Sequence, residues 1–84
     1  MNVRIVFFAS IREKLDCADM ELSIPQPCKL HQLLDHLLEG RDPTWRETLT
    51  AENVRVALNQ ELINGDPEIS PGDEVAFFPP VTGG

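Results

Sequence analysis

The sequence is poor in cations and in aromatic residues. Its 84 residues include 7 Lys plus Arg against 14 Asp plus Glu, which gives a net charge of −7. Because a compact acidic domain repels phosphate backbones, this balance argues against nucleic acid as a partner. Two interpretations of the acidic charge are open. It can assist docking on basic or mixed protein surfaces, or it can act only to keep the protein soluble. Aromatic residues make up only 6% of the chain, so we expect a core built mainly from Leu, Ile, Val and Phe.

Long apolar runs and paired-cysteine motifs are also missing. No run approaches the length of a membrane span, and the first residues lack the apolar core of an export signal. The two cysteines, Cys17 and Cys28, form no Cys-x-x-Cys pattern. We therefore expect a cytoplasmic protein with no membrane partner and with both thiols reduced.

The common catalytic and metal-site motifs are absent as well. The chain has no Gly-rich phosphate loop, no nucleophile elbow and no His-based triad. His31 and His36 would lie about 140° apart around a helix, so they should not share a metal ion. Asp73 and Glu74 lack the spacing of an EF-hand. We expect no metal site, no ATP bound by the chain itself and no catalysis by the chain alone.

What the sequence does contain is a series of short periodic segments. The apolar block from Val3 to Ala9 predicts a strand buried on both faces, and residues 20–24 alternate like a half-buried strand. One clear helical stripe consists of Leu30, Leu33, Leu34, Leu37 and Leu38. Gly40 can close that helix in the left-handed conformation.

Shorter segments complete the pattern. Residues 10–15 predict a loop or a helical turn, and residues 45–49 a short helical turn after the break at Arg41-Asp42-Pro43. The remaining predicted strands are 54–58, 62–63 and 74–78, with turns at 59–60, 64–67 and 70–73. This order predicts an α+β fold over residues 1–78, a mixed sheet of about five strands on one main helix. With the first and last strands central, this is the β-grasp, or ubiquitin-like, arrangement.

Residues 79–84 form a separate predicted tail. Pro79 and Pro80 end the last strand and favour an extended conformation, so the six residues would reach roughly 20 Å. Gly83 and Gly84 have no side chains, so the tip can enter a channel too narrow for any Cβ. Joining its carboxylate to AMP would turn a poor electrophile into a reactive one. We therefore predict that other proteins activate and use Gly84; a frayed terminus is the alternative.

Phe77 and Phe78, just before the tail, fall on opposite faces of the last predicted strand. Since the helix covers one face, two arrangements are open: one ring is exposed, or both lie in the core. An exposed apolar patch beside the tail would mark a protein interface.

The ending from Glu74 to Gly84 resembles that of the small, sulfur-carrying subunits of molybdopterin synthase. The segments Phe7–Glu13, Ala57–Gln60 and Pro71–Val75 resemble that family too. The resemblance extends over nearly the whole chain, and the block Phe-Phe-Pro-Pro-Val-x-Gly-Gly is its most specific part. It implies a β-grasp fold and a non-catalytic sulfur carrier in molybdenum cofactor biosynthesis.

The resemblance also implies partners and residue roles. An adenylating enzyme of the ubiquitin-activating type would use ATP and Mg²⁺ to adenylate Gly84, and a sulfur donor would convert the adenylate to a thiocarboxylate. In a heterotetramer with the large synthase subunit, sulfur would then pass to cyclic pyranopterin monophosphate to form the molybdopterin dithiolene. The residues implied to insert into the large subunit ahead of Gly84 are Pro79, Pro80, Val81, Thr82 and Gly83. Phe78, Phe8 and Arg12 are the implied partner contacts.

Two other functions are open at this point. The carrier could supply sulfur for thiazole synthesis or tRNA thiolation, or be linked to lysines as a protein modifier. It could instead be a non-covalent binding module whose terminus is incidental. The Phe-Phe-Pro-Pro segment before the tail favours the molybdopterin branch.

Overall fold

The computed structural model describes residues 2–79. Five of its strands form one mixed sheet in the order β2-β1-β7-β4-β5, and β3 and β6 form a separate two-stranded ribbon. The first and last strands are central, as predicted. The elements are β1 (Asn2–Phe7), α1 (Ala9–Leu15), β2 (Asp19–Ser23), β3 (Cys28–Lys29), α2 (Leu30–Leu38), α3 (Pro43–Leu49), β4 (Arg55–Leu58), β5 (Glu61–Leu62), β6 (Glu68–Ile69) and β7 (Glu74–Phe78).

β1 buries one face only, so the prediction of a strand covered on both faces was wrong. Val3, Ile5 and Phe7 are fully buried, whereas Arg4 between them is exposed. The helices pack against one face of the sheet, which leaves alternate side chains on the outer face. The strand also ends at Phe7 rather than at Ala9, because Ala9 is the first residue of α1.

The leucine stripe of α2 covers the sheet as predicted. Four of its residues are buried and Leu34 is partly buried against the same core. At the start of the helix, the Lys29 N–H donates to Gln32 Oε1 at 2.9 Å. Just after its end, Gly40 takes the left-handed conformation, with φ of 76°.

The two segments expected as turns are helices of seven residues. Pro43 occupies the first position of α3, where its missing N–H removes no hydrogen bond, and Asp42 Oδ1 accepts from the Thr44 N–H at 2.8 Å. The residues that we interpreted as a chain break therefore also start a helix. α3 buries Leu49 and packs against α1, which buries Ile11 and Leu15.

Candidate functional site

The last strand is held at the centre of the sheet, and this fixes where the tail begins. β7 pairs in parallel with β1 and antiparallel with β4, so Phe77 lies opposite both Phe7 and Val56. Beyond the β1 ladder, the Phe8 N–H donates to the Phe77 carbonyl at 3.1 Å. The backbone is thus bonded up to the point at which the predicted tail starts.

The start of β7 is fixed by the side chain of Asn59. Asn59 and Gln60 form the two-residue turn between β4 and β5, and both have positive φ, 52° and 70°. Asn59 Oδ1 accepts from the Glu74 N–H at 2.9 Å, and Asn59 Nδ2 donates to Asp73 Oδ1 at 3.1 Å. Because a slip of one residue would exchange the two faces of β7, this contact helps decide which side chains point outward.

The structure answers the question left open for Phe77 and Phe78. Phe77 is fully buried in the core, and Phe78 is half-buried on the outer face. The Phe78 ring meets that of Phe8 edge-on, with centroids 6.5 Å apart. Phe8 is 47% exposed because it has left β1 and occupies the residue before α1.

A row of apolar residues continues this surface across the outer face. The register places Val6 opposite Ala76, Ala76 opposite Ala57, and Ala57 opposite Leu62. Leu62 is 65% exposed, the largest exposed fraction of any large apolar side chain among residues 2–79. We call this surface the outer patch; it consists of Val6, Phe8, Ala57, Leu62, Ala76 and Phe78. Within this patch Phe8 and Leu62 are exposed, Val6 and Phe78 are half-buried, and the two alanines are buried between their larger neighbours. Exposed apolar side chains on one face of a sheet are a feature of protein interfaces.

Sequence reasoning assigned Phe8 and Phe78 to this interface and missed Leu62. The alternation of the predicted strand 62–63 was the available signal, since Ile63 is half-buried and Leu62 points the other way. The alternation alone does not predict that Leu62 shares a face with Phe78, because the two residues lie on different strands whose register is set by the tertiary structure.

Two exposed arginines lie close to outer-patch residues, one along the chain and one in the strand register. Arg12, predicted as a partner contact, is exposed on α1 close after Phe8, and within residues 2–79 its side chain makes no ion pair or hydrogen bond. Arg55, which the sequence did not single out, lies opposite Phe78 in the β4–β7 register and is also exposed. A cation on this surface can recognise a carboxylate of a docking protein.

Polar pairs flank the outer patch on the side of β2 and at the start of β7. Arg4 lies 3.3 Å from Asp19 and 3.9 Å from Glu74, and all three side chains are solvent-accessible. The pair of aromatic rings, Phe8 and Phe78, lies at the end of the face where β7 ends.

Pro79 is the one predicted tail residue within the described range. It is half-buried and lines a cleft of about 440 Å³ together with Ile11, Lys14, Thr48 and Val54. The predictions for Pro80, Val81, Thr82, Gly83 and Gly84 lie outside the described residues.

Comparison with known proteins identifies the family. The sequence profile described as the ThiS family matches residues 5–84. The chain belongs to the ThiS family.

Individual relatives of this ThiS-family chain agree with that assignment. It is 37% identical over 82 residues to the molybdopterin synthase sulfur carrier subunit of Escherichia coli K12, covering 98% of this chain and 99% of that protein. It superposes with a TM-score of 0.69, at 27% identity and over the full length of both chains, on a protein from the complex of subunits 1 and 2 of the molybdopterin-converting factor of Helicobacter pylori. SAMP1 of Haloferax volcanii has the same fold, with a TM-score of 0.83 at 22% identity and full coverage of both chains. These likenesses confirm the predicted β-grasp fold.

The remaining reactive groups of the ThiS-family chain lie apart from the outer patch. The Cys17 thiol donates to the Asp19 carbonyl at 3.4 Å, and burial raises the pKa of the Cys28 thiol, which keeps it protonated. His31 pairs with Asp66, and His36 is exposed. Among residues 2–79, no three His, Cys, Asp or Glu side chains converge as metal ligands would. None of the helices in that range combines the length and the apolarity needed to span a bilayer.

Proposed function

We propose that this chain is the sulfur-carrier subunit of a molybdopterin synthase and that Gly84 is its reactive residue. The observation that carries the proposal is the 37% identity, over 98% of the chain, to a protein of that name. The geometry supports it, because an apolar outer patch lies beside the strand end from which the Gly-Gly segment continues.

The chemistry follows from the poor reactivity of a carboxylate. In the partner enzyme, the Gly84 carboxylate attacks the α-phosphate of ATP, pyrophosphate leaves, and an acyl-adenylate forms. A sulfur donor then displaces AMP and leaves a thiocarboxylate. Mg²⁺ and the nucleotide belong to the partner's site, and the chain contributes the carboxylate and the surface that positions it.

In the second step the thiocarboxylate delivers its sulfur to cyclic pyranopterin monophosphate inside the large synthase subunit. The thiocarboxylate sulfur bonds to a carbon of the substrate, and water then cleaves the bond between that sulfur and the Gly84 carbonyl carbon. The water oxygen restores the Gly84 carboxylate, so the carrier is regenerated and can be loaded again. A dithiolene contains two sulfur atoms and each loaded carrier supplies one, so two loaded carriers are used for each product. The proposed assembly with the large subunit is a heterotetramer. We propose that the chain is a non-catalytic subunit and that it works in the cytoplasm.

Each part of the described surface has a role in this cycle. Phe8, Phe78 and Leu62 provide the apolar contact with both partners, and Arg12 provides a polar contact with the adenylating enzyme. Both partners must receive the same tail, so they must use overlapping surfaces in turn. The carrier therefore leaves one partner before it joins the other.

Intact-mass measurement tests the proposal. With the adenylating partner, ATP, Mg²⁺ and a sulfur source, we expect the mass to rise by the difference between sulfur and oxygen. Omitting ATP should prevent the rise. An unchanged mass with all components present would refute the proposal.

Two matched tail variants separate this function from simple binding. Deleting Gly84, or adding one residue after it, should abolish the mass change and leave the thermal unfolding of the domain unchanged. A binding module with an incidental terminus would keep its activity in both variants.

A further inference from the structure

Two arginines project from the outer face of the five-stranded sheet, and their surroundings differ. Arg4 lies opposite Glu74 at the start of β7, with Asp19 at 3.3 Å and Glu74 at 3.9 Å. Arg55 lies opposite Phe78 at the end of β7, and in the described part of the chain its side chain makes no ion pair or hydrogen bond. The fold therefore neutralises one outward arginine and leaves the charge of the other uncompensated.

The uncompensated charge of Arg55 does not come from a shortage of acids. The chain has 14 Asp plus Glu against 7 Lys plus Arg, yet among residues 2–79 no carboxylate lies within ion-pair distance of Arg55. Its neighbours on the outer face of the sheet are apolar: Phe78 opposite it, Ala57 two residues further along β4, and Leu62 opposite Ala57. Arg55 is thus a cation beside the apolar residues of the outer patch.

Covering the outer patch would change the surroundings of Arg55. Directly opposite residues in an antiparallel pair have Cβ atoms about 5 Å apart, so a protein that covers the Phe78 ring also displaces water from Arg55, which is exposed in the chain alone. A guanidinium that loses water without gaining a carboxylate weakens the complex. A carboxylate of the partner would replace the water with two parallel, charge-assisted hydrogen bonds.

The position of Arg55 on the sheet indicates which partner provides that carboxylate. β1 and β4 are the two neighbours of β7, so Phe8, at the end of β1, and Arg55 lie on opposite sides of Phe78. Arg12, the proposed contact of the adenylating enzyme, lies on the Phe8 side, because its backbone N–H donates to the Phe8 carbonyl at 3.3 Å. Arg55 is therefore available to the other protein that receives the tail, the large synthase subunit.

We propose that an aspartate or glutamate of the large synthase subunit pairs with Arg55, and that this pair distinguishes the large subunit from the adenylating enzyme. This inference rests on the proposed function. It adds one specific charged contact to tail insertion and apolar docking.

Binding kinetics of the intact chain with the purified large subunit test the pair. We expect Arg55→Glu to weaken binding by at least about tenfold, mainly through faster dissociation, because a charge pair covered by the interface is lost. Arg46→Glu, an equal charge change at an exposed site on α3, should leave the dissociation rate unchanged. Equal dissociation rates for the two variants would overturn the pair. An equal loss in the rate of Gly84 adenylation by Arg55→Glu would overturn its role in distinguishing the partners.

Charge reversal in the large subunit tests the same pair from the other side. Changing its exposed aspartates and glutamates to arginine one at a time should give one variant that binds the Arg55→Glu carrier at least about tenfold more tightly than the unchanged large subunit does. If no variant restores binding, the carboxylate contact is overturned. If wild-type thiocarboxylated carrier still transfers sulfur in that case, the proposed function stands, whereas absence of that transfer would overturn both.

Discussion

At the scale of single residues, Phe77 and Phe78 show how one position in a strand separates a core residue from a residue of the outer face, where we propose that partners bind. The Phe77 ring stacks on that of Phe7 in the core, with centroids 5.9 Å apart. The next ring along the chain points away from the core and meets Phe8. Both residues have the same chemistry, and only the face on which they lie assigns their roles.

Substituting each ring by alanine should separate the two roles. We expect Phe77→Ala to lower the free energy of unfolding by about 3–5 kcal/mol, because it leaves a cavity in the core. Phe78→Ala should cost less stability but weaken binding to the large subunit by about 1–3 kcal/mol. Urea unfolding and calorimetric titration measure the two quantities. If Phe78→Ala bound as tightly as wild type, the outer patch would not be the interface.

At the scale of elements, the two-residue turn between β4 and β5 combines a favourable and an unfavourable feature. Asn59 tolerates positive φ, and its side chain also bonds Asp73 and Glu74. Gln60 has φ of 70°, and within residues 2–79 its side chain makes no hydrogen bond. The turn is therefore stabilised by its first residue and strained at its second.

Glycine substitutions at the two positions should have opposite effects. Gln60→Gly should raise the free energy of unfolding by about 1 kcal/mol, since glycine adopts positive φ without strain. Asn59→Gly keeps the turn but removes two hydrogen bonds, so we expect a loss of about 1–2 kcal/mol. Chemical denaturation compares them. A stability gain for Asn59→Gly would show that the Asn59 side chain contributes nothing, and a loss for Gln60→Gly would contradict strain at that residue.

A second contact between elements joins the loop between β5 and β6 to the start of α2. Asp66 accepts from the His31 backbone N–H at 2.8 Å and pairs with the His31 ring. These hydrogen bonds lower the pKa of the Asp66 carboxyl. The ionised Asp66 carboxylate therefore stabilises the fold fully when the pH is above the ordinary pKa of an aspartate. This stabilisation is lost as the pH falls through the lowered pKa that Asp66 has in the folded protein.

Measuring the free energy of unfolding of Asp66→Asn at several pH values tests whether the stabilisation by Asp66 is lost on acidification. The stability difference between wild type and the variant should be largest near neutral pH and shrink as the pH falls from about 5 to about 3. Asp35→Asn, at an exposed site on the same helix, provides the control. A difference that grows on acidification would contradict the assignment.

At the scale of the whole molecule, the net charge affects how fast the chain associates with a partner. The chain has a net charge of −7, whereas the outer patch, the proposed docking surface, contains no charged residue. Acidic residues elsewhere can therefore speed the approach to a basic or mixed surface without having to be buried in the contact.

Salt should accordingly change how fast the carrier associates with the large subunit. Raising the ionic strength from about 0.01 M to about 0.15 M shortens the screening length from about 30 to about 8 Å. We expect the association rate to fall by roughly tenfold, with little change in the dissociation rate. Stopped-flow measurements give both rates. An association rate that rises with salt would mean that the two proteins repel each other.

The sequence by itself determined the features that depend on neighbours along the chain. The leucine stripe of α2, the left-handed Gly40, the turn at Asn59-Gln60 and the alternation of Phe77 with Phe78 all follow from local periodicity and backbone preference. The central position of β1 and β7 also followed, because apolar strands at both ends of the chain pack best away from the sheet edges.

Only the tertiary structure decided the features that depend on register between distant segments. The strands of the β3–β6 ribbon are too short to show any periodicity in the sequence. β1 is buried on one face only, because the helices pack on the face of the sheet opposite to the Arg4 side chain. Leu62 and Arg55 joined Phe78 at one surface through strand pairing across β4 and β7. Local sequence sets which way a side chain alternates, but hydrogen-bonded pairing between strands sets which side chains meet.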